Sequence, residues 1–199
     1  METPDVHAHA PHGTGIRWID LSFGLGALFA SFVSLWIAVQ NGHDMNRLVQ
    51  ANSLPYLQLY QSTEAADGTP RLALVVSNQG VGPGEIRTAE LLVDGKPQPD
   101  LDSALAACCG VPARYAAMRT STLFGRMLRP GENLEYMALP ATAGDQAAAK
   151  AFKEAMADRI ETRICFCSVF DECWATSNKA EGRPTPVAQC SAPKLMYRQ

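Results

Sequence analysis

From Leu21 to Val39 the chain reads LSFGLGALFASFVSLWIAV, nineteen residues without a charge, with Trp18 just ahead of the run and Trp36 near its end. At about 1.5 Å per residue a helix of this length reaches roughly 28 Å, the thickness of a bilayer's hydrocarbon core. A helix in a soluble core is seldom apolar on every side for so long. A cleaved signal peptide would have a shorter apolar region and a small-x-small cleavage site, which Ile37-Ala38-Val39-Gln40 does not offer. The run therefore reads as a transmembrane helix over residues 18–41, serving as an uncleaved signal anchor.

Positive charge does not orient this span, because Arg17 and Arg47 flank it one on each side. The cysteines do. All six (Cys108, Cys109, Cys165, Cys167, Cys173 and Cys190) follow the helix, and an even number of cysteines in a small domain belongs with an oxidising compartment. The expectation is a single-pass protein of the inner (plasma) membrane with a cytoplasmic N-terminus and a periplasmic or extracellular C-terminal domain. With 17 basic against 20 acidic residues and a formal net charge of −3, there is no basic excess to attract nucleic acid.

Within the span, Ser22, Gly26, Ala30 and Ser34 recur at every fourth position. A stripe of small side chains lets a second helix come close enough for van der Waals contact, which is what associates helices in lipid. The stripe predicts self-association or a partner helix. Residues 1–17 have no apolar periodicity, and Pro4, Pro11, Gly13 and Gly15 interrupt them. They read as a disordered tail in which His7, His9 and His12 are solvated rather than a metal site. Residues 42–54 place Met45, Leu48 and Val49 at helical spacing ahead of Pro55, which predicts a helical stalk.

The next stretch, residues 55–180, reads as one domain. Residues 56–61 (YLQLYQ) and 71–78 (RLALVVSN) are strand candidates. Residues 78–84 (NQGVGPG) hold three glycines, yet Pro83 and the strand-like 86–93 behind it exclude a phosphate loop, which must open a helix. They read as a turn between strands, and Asp94-Gly95 closes the next strand with a hairpin dipeptide. Leu101, Leu105 and Cys108 share a helical face between a capping Asp100 or Asp102 and a stopping Gly110. Strands are expected over about 119–128 and 133–139, separated by Arg129-Pro130-Gly131. A second helix follows the capping pattern Thr142-x-x-Asp145, with Ala148, Phe152, Ala155 and Met156 on its buried face.

A hairpin of 159–168 and 173–177 comes last. Its alternation puts Ile160, Thr162, Ile164 and Phe166 on the core face and Glu161, Arg163, Cys165 and Cys167 on the other. Short antiparallel strands with two inserted helices predict a mainly β fold, an immunoglobulin-like antiparallel β-sandwich, with residues 181–199 as a surface tail.

The cysteine spacing limits the pairings. Cys165 and Cys167 point the same way with α-carbons about 6.6 Å apart, at the outer limit for a disulfide and with unsuitable Cβ directions. A five-residue loop sets Cys173 opposite Cys167, which makes Cys167 with Cys173 the preferred bond. Cys165 then reaches Cys190 or one of Cys108 and Cys109. Those two adjacent cysteines would close an eight-membered ring if joined, so separate partners are expected for them.

An alternative use of the same residues is a soft-metal site. Cys165, Cys167 and Cys173, with Met127, Met137 or Met156 in reach, are the sulfur ligands that copper(I) prefers. Cys165-Phe166-Cys167 is similar to the Cys-Phe-Cys strand motif of the membrane-anchored copper chaperones of cytochrome oxidase assembly, which also join one N-terminal membrane helix to an immunoglobulin-like domain. That resemblance covers three residues and the layout, and it implies copper handling by Cys165 and Cys167. Beyond it the sequence departs, since Ser168-Val-Phe-Asp-Glu-Cys173 replaces the usual continuation and no cysteine directly follows the membrane span.

No histidine lies beyond His43, so the domain cannot assemble Ser-His-Asp or Cys-His machinery. The paired carboxylates Asp171-Glu172 and Asp100-x-Asp102 sit where a turn and a cap need polar side chains. No cofactor is expected under this reading. The sequence thus predicts a non-catalytic accessory or scaffolding subunit that binds another envelope protein through the helix stripe and a face of the sandwich, with Tyr115, Phe124 and Trp174 as contacts. Copper handling is the rival.

Overall fold

The computed structural model describes residues 17–65, 67–110, 119–140 and 146–197. Three expectations lie outside the described residues: the histidine-bearing tail, Tyr115, and the cap at 142–145. The chain divides between Val49 and Gln50 into two units.

The first unit is built on one helix, α1 (Arg17–Ala51), with no buried residue and a mean hydropathy of 1.9 over its most apolar stretch. It is long and apolar enough to cross a membrane, which fits a membrane anchor or a signal sequence. The expected span and most of the expected stalk are one continuous helix. It ends at Ala51, four residues before Pro55, and the Ser53 amide donates to the Gln50 carbonyl at 3.0 Å to close its last turn.

In the second unit two antiparallel sheets face each other in a sandwich-like arrangement. One is four-stranded, β1 (Leu57–Glu64), β2 (Pro70–Asn78), β7 (Asn133–Pro140) and β5 (Arg119–Thr120), adjacent in that order. The other runs β10 (Thr185–Val187), β9 (Cys173–Ser177), β8 (Ile160–Cys167), β3 (Gly84–Val93) and β4 (Lys96–Gln98), with β6 (Met127–Leu128) also on β3. Period-two burial sorts the faces. Leu72, Leu74 and Val76 of β2 meet Ile86, Ile164 and Phe166 in one core, whereas Ala73 and Val75 form a separate small cluster with Ala138.

Helices α2 (Leu101–Cys109) and α3 (Gln146–Asp158) add Leu101, Leu105, Phe152 and Met156 to the same core. The Asp100 carboxylate caps α2 by accepting from the Ser103 amide, and Gly110 ends it in a left-handed conformation. Asp94 and Gly95 both have positive φ, as a two-residue hairpin turn of this hand requires.

The glycines of 78–84 have a different cause from phosphate binding. Asn78 is fully buried, and its side-chain amide donates to the carbonyls of Gly82 at 2.8 Å and Leu128 at 3.0 Å. Its carbonyl oxygen accepts from the amides of Tyr56 and Gly80. The loop is thereby pressed onto residues 53–56, where the chain joins the domain. A Cβ on Gly80 would lie 2.4 Å from the Leu54 carbonyl oxygen, and one on Gly82 would lie 2.0 Å from that of Ser53.

Two expectations need correction. Residues 119–128 form no continuous strand, because the chain turns at Phe124-Gly125, with Gly125 at φ 70°, and only two-residue ladders remain on either side. The expected surface tail over 181–199 is more than that across its described residues, 181–197. They supply β10 as an edge strand, in which Pro186 is tolerated because an edge residue needs no ladder on its outer side. They also supply Tyr197, which is 5% exposed and whose amide donates to the Ala89 carbonyl.

Candidate functional site

The hairpin register places the sulfur chemistry. Pairing of β8 with β9 sets Phe166 opposite Trp174 and Cys167 opposite Cys173, and the Ser168 amide donates to the Glu172 carbonyl to close the five-residue loop. Cys167 and Cys173 are disulfide-bonded, with α-carbons 4.0 Å apart. One rung back, Cys165 is bonded to Cys190 from the C-terminal segment, with α-carbons 5.7 Å apart. That segment covers the outer face of β8, which explains why Cys165 and Cys167 are buried although they lie opposite the core residues Ile164 and Phe166.

The two bonds are neighbours in space. Cys167 Sγ lies 3.7 Å from Cys190 Sγ, and the sulfurs of Cys167, Cys173 and Cys190 all fall within 4.8 Å of one another. The expected metal set was Cys165, Cys167 and Cys173, so Cys190 takes the place expected for Cys165 in the tightest group. Met137 and Met156 are buried in the core between the sheets, not on this outer face, so the expectation that they assist a copper ion fails. Disulfide sulfurs carry no thiolate charge, and the paired state therefore does not offer copper(I) its preferred ligand. An open groove of about 400 Å³ runs beside Cys165, with Gln189 and Ser191, the neighbours of Cys190, on its wall.

Cys108 and Cys109 are bonded to each other, contrary to the separate partners expected. Both sit in the last turn of α2, and the remaining four cysteines pair among themselves. Arg159 fixes this helix end. Its guanidinium donates to the Cys108 carbonyl at 2.6 Å and grips Asp94 with Nε at 3.0 Å and Nη2 at 2.6 Å. These hydrogen bonds hold the Asp94 carboxyl below its ordinary pKa, with the charge of Arg159 adding to the effect.

A second feature escaped the sequence reading. The start of β3 pairs with β6 on one side and with the end of β8 on the other: Glu85 opposes both Met127 and Cys167. The Val81 and Gly82 amides donate to the Leu54 carbonyl, and the Gly125 amide donates to the Ile86 carbonyl. One end of the sandwich thus gathers Leu54, Val81, Phe124, Met127, Val169 and Phe170, all exposed, with Val81 at 64% and Val169 at 54%. The signal in the sequence was Val169-Phe170 at a hairpin tip, where turns favour polar residues or glycine.

Of the expected contacts, Phe124 belongs to this end. Trp174 does not present a free ring, because it is half-buried and stacked on Phe166 with centroids 5.8 Å apart. Along α1, the Ser22 and Ser34 hydroxyls donate to the carbonyls of Trp18 and Ala30 four residues earlier. Their polarity is spent within the helix, and a Cβ on Gly26 would meet nothing within 4 Å. No protein-family model matches the chain, and no curated protein matches it either.

Proposed function

We propose that the protein is a non-catalytic accessory or scaffolding subunit of the inner membrane, held by α1 as an uncleaved anchor with its N-terminus in the cytoplasm. Its periplasmic domain, read as immunoglobulin-like, binds another envelope membrane protein. The observation that carries this reading is the apolar end formed by Leu54, Val81, Met127, Val169 and Phe170, at the point where the chain joins the domain from its anchor. Exposed apolar side chains collected at one place mark an interaction surface. Tethering the domain to a membrane helix raises its effective concentration toward partners that are themselves in the membrane. Three disulfides belong with an oxidising, extracytoplasmic compartment. Copper handling by Cys165 and Cys167 would require opening both of their bonds and has no observation of its own in the paired state.

Photo-crosslinking residues introduced one at a time at Val81, Val169 and Phe170 in growing cells test the proposal. The expected result is one shared adduct from all three positions and none from Lys150 or Lys153 on the exposed side of α3. Equal adducts from both places, or none at the apolar end, would overturn it.

A further inference from the structure

We infer that the Cys165–Cys190 and Cys167–Cys173 bonds form a two-stage thiol–disulfide exchange site, which accepts an electron pair from a dithiol at Cys190 and passes it to Cys173. This activity is independent of the docking surface above. It rests on three observations. The two disulfides approach to 3.7 Å between Cys167 and Cys190. Cys190 is the least buried of the four sulfur-bearing residues, whereas Cys165, Cys167 and Cys173 are buried. The groove beside Cys165 has both chain neighbours of Cys190 on its wall and gives room for the segment that flanks an incoming thiol.

The chemistry balances without further reagents. A thiolate of an external dithiol, such as a thioredoxin-like protein, attacks Cys190 Sγ; the Cys165–Cys190 bond breaks, and Cys165 leaves as thiolate and takes up a proton. The second thiol of the dithiol then displaces Cys190, so the dithiol departs as a disulfide, having given up two electrons and two protons. Cys190 is now a thiolate beside the remaining bond. It attacks Cys167 Sγ, a Cys167–Cys190 bond forms, the Cys167–Cys173 bond breaks, and Cys173 leaves and takes the proton. As a thiol Cys173 has an acceptor waiting, the Asp171 carbonyl oxygen 3.4 Å from its sulfur. The second stage is an isomerisation and needs no electrons of its own.

The test is limited reduction of the full-length protein in detergent micelles with one equivalent of dithiothreitol, followed by acid quenching, alkylation and peptide mapping. The reading is taken on molecules with two alkyl groups on the cluster peptides, whatever the state of Cys108 and Cys109. Alkylated Cys165 and Cys173 with a Cys167–Cys190 cross-link are expected. Alkylated Cys165 and Cys190 with Cys167–Cys173 intact would overturn the inference, as would an intact Cys165–Cys190 bond beside alkylated Cys167 and Cys173. A second preparation, Cys165→Ser/Cys173→Ser, leaves of the four cluster cysteines only Cys167 and Cys190, whose sulfurs stand 3.7 Å apart, beside the separate Cys108–Cys109 bond. They are expected to join in the oxidised protein, and two fully alkylatable thiols in a folded variant would contradict the exchange.

Discussion

Replacing Cys165 and Cys190 together by alanine removes the bond that ties the C-terminal segment to β8, with a sequence separation of 25. The same change at Cys167 and Cys173 opens a bond with a separation of only 6. If each bond acts by restricting the unfolded chain, loop-closure entropy assigns about 3.5 kcal/mol to the longer loop and about 2.2 kcal/mol to the shorter one at 25 °C. The short loop is already held by the β8–β9 ladder and by the Ser168–Glu172 hydrogen bond. Beyond that hairpin and the Asn178 and Lys179 contacts, the rest of the long loop is held by the three-residue pairing of β10 with β9. Equilibrium unfolding in guanidinium, followed by the fluorescence of Trp174 against a constant background from Trp18 and Trp36, measures both losses. The Cys165→Ala/Cys190→Ala protein should be the less stable by roughly 1 kcal/mol, the difference between the two loop-closure terms. Equal losses, or a larger loss from the short loop, would refute the view that these bonds staple the fold chiefly through chain entropy.

Asn78→Ala leaves the Gly82 and Leu128 carbonyls and the Tyr56 and Gly80 amides without their buried partner, and a loss of about 2–3 kcal/mol in the same unfolding assay is expected. Asp94 has a carboxyl pKa depressed below 3.8 by its hydrogen bonds to Arg159. Its stabilising contribution is complete above that ordinary value and is lost as pH falls through the lower folded value. Asp94→Asn should therefore lower the melting temperature at neutral pH and flatten its fall below pH ~4, as read by thermal melts across that range. Gly26→Leu puts bulk into the stripe of small residues on α1, and a reduced cross-linked dimer or heterodimer yield in membranes is expected, with an unchanged yield excluding that face.

Much of the architecture was legible because it is local. The alternation in 160–167 fixed both faces of β8, and the five-residue loop fixed its register with β9, so Cys167 could be matched to Cys173 from spacing. The partner of Cys165 remained open, because the approach of residue 190 depends on how 178–197 folds back, and its prolines read as a tail. Adjacent Cys108 and Cys109 were misjudged for a related reason: they bond to each other because the other four cysteines pair among themselves, which depends on how the C-terminal segment folds back and which spacing does not reveal. Residues 119–128 carry enough β-formers to read as a strand, but the turn at Gly125 serves a non-local need, the hydrogen bond to Ile86. The apolar end was hidden for a general reason. Val81, Val169 and Phe170 come from separate loops, and hydrophobicity alone does not separate an exposed apolar side chain from a buried one.

The central claim, an anchored domain stapled on the oxidising side of the membrane, is tested most directly by the intact mass of the protein purified from membranes after alkylation without reduction. No added alkyl group is the predicted result, because all six cysteines are paired. Six added groups would place the domain on the reducing side and contradict both the orientation and the role derived from it.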